Sequence, residues 1–138
     1  MEILDGIKSI VGVGKPTIEL APLSGPIRSG ELLRGVVLLR GGDYDAPVQD
    51  VEIHLDEERL VYTTAATPER QFWKRLSELR IAMDGRTLKQ DETIELPFEL
   101  IVPLELAPSS PGVSYQLVAS TEVPGLNPKA ELTVVLEA

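Results

Sequence analysis

A chain of 138 residues is long enough for one domain that buries about two-thirds or more of its unfolded surface. Its formal net charge of −9, from 22 acidic and 13 basic residues, disfavours binding to nucleic-acid phosphates and to anionic membrane surfaces, because both require a basic surface. The sequence has no cysteine, no apolar run of the roughly 18 residues that a membrane span needs and no signal-peptide pattern, so we expect a cytoplasmic protein.

Residues 1–14 form an amphipathic segment that precedes the β pattern. Ile3, Ile7 and Ile10 recur at helical spacing, which predicts a short helix. We expect this helix to cap an open end of the domain, and its apolar ridge is also a candidate for docking. Residues 15–138 are then expected to form a single domain.

The stretch RSGELLRGVVLLRGG, residues 28–42, reads as a strand that is apolar on both faces. One face combines Gly35 with the apolar side chains Leu33, Val37 and Leu39. The other face combines two arginines with the apolar side chains Leu32, Val36 and Leu38. Such a strand is either covered on both sides by its own chain or meets another surface with its outer face. The second face is therefore a candidate contact surface.

The next strand, around residues 51–62, carries the only histidine of the sequence. His54 shares a face with Glu52 and Asp56, which suggests a metal or catalytic site. Same-face residues on one strand lie about 6.5–7 Å apart, however, so three of them converge poorly on one ion. We interpret this face as a solvated strand face, and the sequence predicts no metal, no cofactor and no catalytic residue.

Residues 64–79 fit two structures. Thr67 and Pro68 have the pattern of a helix start. The same residues also read as the return strand of a hairpin, which we favour because the β-type residues before them need a local partner. Trp73 is followed by two basic residues, and either burial or contact with a partner protein would suit it.

The remaining chain alternates between short apolar runs and turn residues. The run ETIELPFELIV, residues 92–102, has the clearest period of two, and two further runs follow at 113–121 and 130–137. Pro97 lacks an amide hydrogen, so we expect it at a sheet edge or a bulge, with a break or strand switch there. With no long helical pattern between the strands, the sequence predicts an all-β fold, an antiparallel two-sheet β-sandwich.

The order of these motifs resembles the N-terminal half of the arrestin-like fold, and within it the bacterial sporulation-control family of Spo-zero-M type. The features that carry the resemblance are Gly30-Glu31 before a strand, Gly35 within it, Gly41-Gly42 after it, Pro97-Phe98 and Ser114-Tyr115. The start, IKSIVGVGKPTIEL, is also similar to the way those proteins begin. In such a sandwich, Gly35 would mark a bulge or a close backbone approach and Gly41-Gly42 a tight turn.

The resemblance implies a non-catalytic scaffold or adaptor that binds other proteins in regulation. Members of this family typically carry two tandem sandwiches, and we expect only one here, which would expose the face that meets the second domain or replace that contact by a homodimer. The candidate contact residues are Leu32, Val36, Leu38 and Trp73. The alternative is a carrier of small hydrophobic ligands with a pocket between the sheets.

Overall fold

The computed structural model describes residues 14–23, 25–62, 68–70 and 74–138, and every regular element in these ranges is a β-strand. The predicted helix lies almost wholly in residues 1–13, outside the described residues. The strands in chain order are β1 Thr17–Pro22, β2 Ile27–Arg28, β3 Leu32–Arg40, β4 Ala46–Pro47, β5 Val51–Tyr62, β6 Pro68–Arg70, β7 Lys74–Ile81, β8 Thr87–Leu88, β9 Thr93–Ile101, β10 Val113–Ser120, β11 Lys129–Val134 and β12 Leu136–Glu137.

Two antiparallel sheets build the domain. The first has the order β1-β3-β9, and the second has β11-β10-β5, with β5 also pairing to β6 and β7. Two short ribbons, β12 with β2 and β4 with β8, complete the topology. One apolar cluster receives side chains from both sheets, among them Leu33, Val37, Leu39, Ile53, Leu55, Phe98, Leu100, Tyr115 and Leu117. The predicted all-β two-sheet sandwich is confirmed.

The segment after β5 returns as strand. β6 pairs with the far end of β5, and β7 pairs with its first half, both antiparallel. A register shift opposite the Leu55–Asp56 step interrupts the pairing of β5 with β7. The described part of residues 64–79 thus agrees with the hairpin and not with the helix. Trp73 lies outside the described residues.

Pro97 occupies an edge strand, as expected, because β9 is the outermost strand of the first sheet. An edge strand leaves one row of backbone groups without a ladder partner, so a missing amide hydrogen is tolerated there. The predicted break is wrong. The register of β9 against β3 continues from Thr93 to Ile101 without a shift.

Gly35 is a site of close approach and not a bulge. It lies directly opposite Phe98 in an unbroken register, on the buried face of β3. A Cβ at position 35 would lie 2.8 Å from Phe98 Cζ and 3.1 Å from the carbonyl oxygen of Ala21. The Phe98 ring therefore occupies the space that a side chain at position 35 would need.

Gly41 and Gly42 are also crowded, and the structure gives neither of them the positive φ of a glycine-dependent turn. A Cβ on Gly41 would overlap the carbonyl oxygen of Lys89, and one on Gly42 would overlap the carbonyl oxygen of Gly14. Backbone hydrogen bonds join the same segments, from Gly41 N to Glu92 O at 2.7 Å, from Asp91 N to Gly42 O at 3.0 Å and from Asp43 N to Gly14 O at 3.2 Å. The glycine pair thus lets the backbone at Lys89 and the backbone at Gly14 pack directly against this loop.

Tyr115 anchors the loop between β9 and β10 to the second sheet. Its side chain is almost fully buried, and its hydroxyl donates to the carbonyl of Ala107, eight residues upstream. Glu57 Oε2 lies 3.3 Å from the same hydroxyl, and Glu57 Oε1 accepts from Arg59 Nε at 3.2 Å. Burial and the neighbouring carboxylate raise the pKa of Tyr115 to about 12.

We expect Gly35→Val to lower the free energy of unfolding by roughly 1–3 kcal/mol, because the new side chain must displace the Phe98 ring. Urea denaturation would measure the change. Gly112→Ala, at a glycine with open space around it, is the control and should change stability by less than about 0.5 kcal/mol. In a Phe98→Leu background the Gly35→Val loss should shrink; an unchanged loss would contradict the assigned contact.

We expect the fold to lose stability as the pH rises from about 10 to about 12. The pKa of Tyr115 in the folded protein exceeds its ordinary value of 10.0, so the neutral phenol stabilises the fold below about pH 10 and this contribution disappears as the phenol ionises. Denaturation across this range would measure the loss in wild type, in Tyr115→Phe and in Tyr44→Phe, an exposed control. An equal loss in the wild type and Tyr115→Phe would contradict the assignment.

Candidate interaction surface

The outer face of the three-stranded sheet carries an apolar strip along its central strand. Leu33, Val37 and Leu39 of β3 are 3% exposed or less and face the core, so the alternate side chains of β3 face outward. Of these, Leu32 is 42% exposed, and Val36 and Leu38 are half-buried.

Neighbouring strands extend the strip on both sides. The register places Ala21 of β1 and Pro97 of β9 beside Val36. It also places Ile101 beside Leu32, and Ile101 is 66% exposed. The strip on this sheet is therefore made of Ala21, Leu32, Val36, Leu38, Pro97 and Ile101, and we call it the β3 strip.

Leu104, in the loop after β9, is 76% exposed and lies against Gly30, two residues before β3. Gly30 supports it from below, because a Cβ at position 30 would lie 2.7 Å from Leu104 Cδ2. Gly30 has a φ of 85° and donates its amide hydrogen to Val102 O at 2.9 Å. Glycine is needed here for both the left-handed backbone and the close approach. The turn at Gly30 therefore packs against an apolar side chain that is exposed to solvent.

Two ion pairs join β3 to the edge strands on the face that carries the β3 strip. Arg34 Nε lies 2.7 Å from Glu99 Oε2, and Arg40 Nε lies 2.7 Å from Glu19 Oε1. All four side chains are about half exposed, so each pair contributes about 0–1 kcal/mol to stability. Their geometric effect is to direct both arginines of β3 toward acidic side chains on the edge strands.

A third carboxylate on this face belongs to Glu95 of β9, which lies beside Leu38 of β3. Its side chain is exposed, and within the described part of the chain it has no ion-pair partner. The edge strands thus contribute only acidic charges to the face: Glu19, Glu95 and Glu99. An apolar strip with acidic flanks suits a partner that is apolar and basic.

The structure brings together three of the four residues that the sequence nominated. Leu32, Val36 and Leu38 lie on one face, whereas Trp73 is outside the described residues. Sequence analysis missed Ala21, Pro97 and Ile101, which join the strip through the pairing of β3 with β1 and β9. One signal was available, because Ile101 is an apolar residue on the strand face that also carries Thr93, Glu95 and Glu99.

His54 lies on the outer face of the second sheet, where it is less solvated than expected. Its Nδ1 lies 2.9 Å from Asp56 Oδ1, and the two side chains are only 14% and 11% exposed. Among the described residues, no group of three or more His, Cys, Asp or Glu side chains could hold a metal ion. The sole imidazole is engaged in a pair within its own strand.

An apolar cleft opens between the sheets near β1 and β11. Its lining includes Leu33, Leu117, Leu132 and Val134, and its volume is about 170 Å³. Ligand pockets occupy about 300–1,000 Å³. This cleft is therefore smaller than a site for a drug-sized hydrophobic ligand.

No helix within the described ranges is long and apolar enough to cross a membrane.

Comparison with known proteins gives one family and several solved structures. Residues 5–132 match the family model Spo0M, described as SpoOM protein. No curated protein sequence matches the chain. The crystal structure of Spo0M, the sporulation control protein of Bacillus subtilis, is similar with a TM-score of 0.79 and 17% identity, over 91% of this chain and 51% of that one. The chain thus spans about half of that structure.

Two further structures are less similar. The CARDB domain of the PF1109 protein from Pyrococcus furiosus, in complex with di-metal ions, gives a TM-score of 0.50 at 13% identity, over 89% of this chain and 88% of that one. The alkylpurine DNA glycosylase AlkC of Pseudomonas fluorescens, bound to DNA containing an abasic site analog, gives a TM-score of 0.51 at 12% identity, over 94% of this chain and 32% of that one. At these identities the likeness concerns the fold alone.

Substitution of adjacent residues tests which side chains of β3 and β9 face the core and which face solvent. We expect Leu32→Ala and Ile101→Ala to change the free energy of unfolding by less than about 0.5 kcal/mol each, because both side chains are exposed. Leu33→Ala and Leu100→Ala, one position away and buried, should each lower it by about 2–5 kcal/mol. Chemical denaturation measures all four. Similar losses on the two faces would contradict the register.

Proposed function

The chain belongs to the Spo0M sporulation-control family, and from this membership we propose that it is a non-catalytic adaptor that binds other proteins in regulation. The family supports a regulatory role. The observation that carries the finer proposal is the β3 strip, an apolar surface at the centre of a sheet whose other face packs into the core.

Exposed apolar area of this kind suits association with another protein. Apolar side chains in the middle of a sheet face gain free energy when a partner removes them from water, at about 25 cal/mol per Å². Scattered apolar side chains need no such explanation, but the strip residues are contiguous across three strands. We propose Leu32, Val36 and Leu38 as contact residues, together with Ala21, Pro97 and Ile101.

The central position of β3 determines how a partner can bind. Both edges of β3 are already paired, with β1 on one side and β9 on the other. Its backbone is therefore closed to strand addition, and contact must be made by side chains. The proposed mode is face-to-face packing on the sheet.

We also propose a non-catalytic role and a cytoplasmic location. The sequence has no cysteine that could act as a nucleophile or form a disulfide, which suits both. The alternative, a carrier of small hydrophobic ligands, would use the cleft between the sheets, whose volume of about 170 Å³ favours the adaptor.

The test is capture of partners from a lysate of the source organism by the wild type and by a Leu32→Glu, Val36→Glu, Leu38→Glu variant. We expect the wild type to retain a protein that the triple variant loses, because three charges in the strip would have to be desolvated on binding. A Gln49→Glu, Thr87→Glu, Asn127→Glu variant adds the same charges at exposed positions elsewhere and should retain the partner.

Both variants are first shown to be folded by circular dichroism and thermal unfolding. Retention of the same proteins by all three forms would overturn the assigned surface. Trp73→Ala tests the fourth residue that the sequence nominates, and we expect normal stability with weaker capture. If the partner is a second copy of the chain, the molecular mass in solution will be that of a dimer. A thermal shift with hydrophobic ligands would instead support the carrier.

A further inference from the structure

The β3 strip has the dimensions of a single helix. From Leu32 to Leu38 the strand advances six residues, which corresponds to about 20 Å. Across the strip, two strand spacings between β1 and β9 correspond to about 10 Å. An α-helix with its side chains is about 10 Å wide, and about 13 residues of it span 20 Å. A second sheet would need a broader apolar face than this one.

The charges around the β3 strip are arranged in a specific way. Arg34 and Arg40 originate within the strip but lean outward to Glu99 and Glu19, so their charges are neutralised at its flanks. Glu95, beside Leu38, has no such neutralising partner within the described part of the chain. Desolvating Glu95 under an apolar partner would be unfavourable unless that partner supplies a cation.

The net charge of the whole molecule acts in the same direction. A formal charge of −9 gives the protein a field that attracts cations and repels acidic partners. Local and global electrostatics therefore favour the same occupant, one with an apolar stripe and basic flanks. A basic amphipathic helix combines both with the footprint of the strip.

We propose that the β3 strip binds a basic amphipathic helix of about 13 residues from a partner protein, with a lysine or arginine placed against Glu95. This inference rests on the proposed function, which it deepens by naming the chemistry of the partner. The helix lies along β3, its apolar stripe covers Leu38, Val36 and Leu32, and its flanks lie over the edge strands β1 and β9.

The test uses two synthetic peptides of about 14 residues, designed with the same apolar stripe and with either lysines or glutamates beside it. Binding to the full chain is measured by fluorescence anisotropy. We expect the lysine peptide to bind on the order of tenfold more tightly than the glutamate peptide at low salt, and the difference to shrink as salt is added.

Variants locate the binding. Glu95→Gln should weaken the lysine peptide by about twofold to fivefold, the effect of one exposed ion pair. Glu137→Gln removes the same charge from an exposed position on β12 and should have no effect. Leu38→Ser should weaken both peptides. The inference is overturned if the two peptides bind equally, or if Leu38→Ser and Glu95→Gln change nothing.

The two proposals fail in different ways. If a cellular partner depends on the β3 strip but the lysine peptide does not bind, the helix chemistry is wrong and the adaptor stands. If the lysine peptide binds through Glu95 and Leu38 but no cellular protein depends on the strip, the surface chemistry stands and the adaptor role is wrong.

Discussion

The contact between Gly35 and Phe98 is the constraint on which the first sheet depends. Because the ring of Phe98 fills the place of a side chain on β3, the two strands match in only one register. A shift by one residue would bring a Cβ into the ring and would turn every side chain of the strand to the other face. The same contact that completes the core therefore also determines which residues form the outer surface.

The second sheet is organised differently, around polar groups that are buried and paired. Tyr115 reaches from β10 to the loop that leaves β9, and Glu57 lies between its hydroxyl and Arg59. On the opposite face of β5, His54 and Asp56 pair with each other. Paired polar groups can be buried without a large loss of stability, whereas unpaired ones cannot. The outer face of β5 is therefore polar at His54 and Asp56, whereas the outer face of β3 carries Leu32, Val36 and Leu38.

Alternation of apolar and polar residues predicts the strands and the inward face of β3, because successive side chains of a strand point to opposite faces. It also nominates Leu32, Val36 and Leu38, whose apolar character has no role in the core. The pairing of β3 with β1 and β9 depends on long-range contacts, so Pro97 and Ile101 were not predicted as neighbours of these residues. For the same reason Gly35 could be predicted as crowded, but not by Phe98.

The position of Pro97 has a consequence for self-assembly. β9 is an outer strand of the sheet that exposes the apolar strip, and such a strand is a template for open-ended pairing between copies. Pro97 removes one hydrogen-bond donor from it, and Glu95 and Glu99 add charges that repel the same strand of another molecule. An apolar face can then remain available at high protein concentration while fibril growth from the adjacent edge is suppressed.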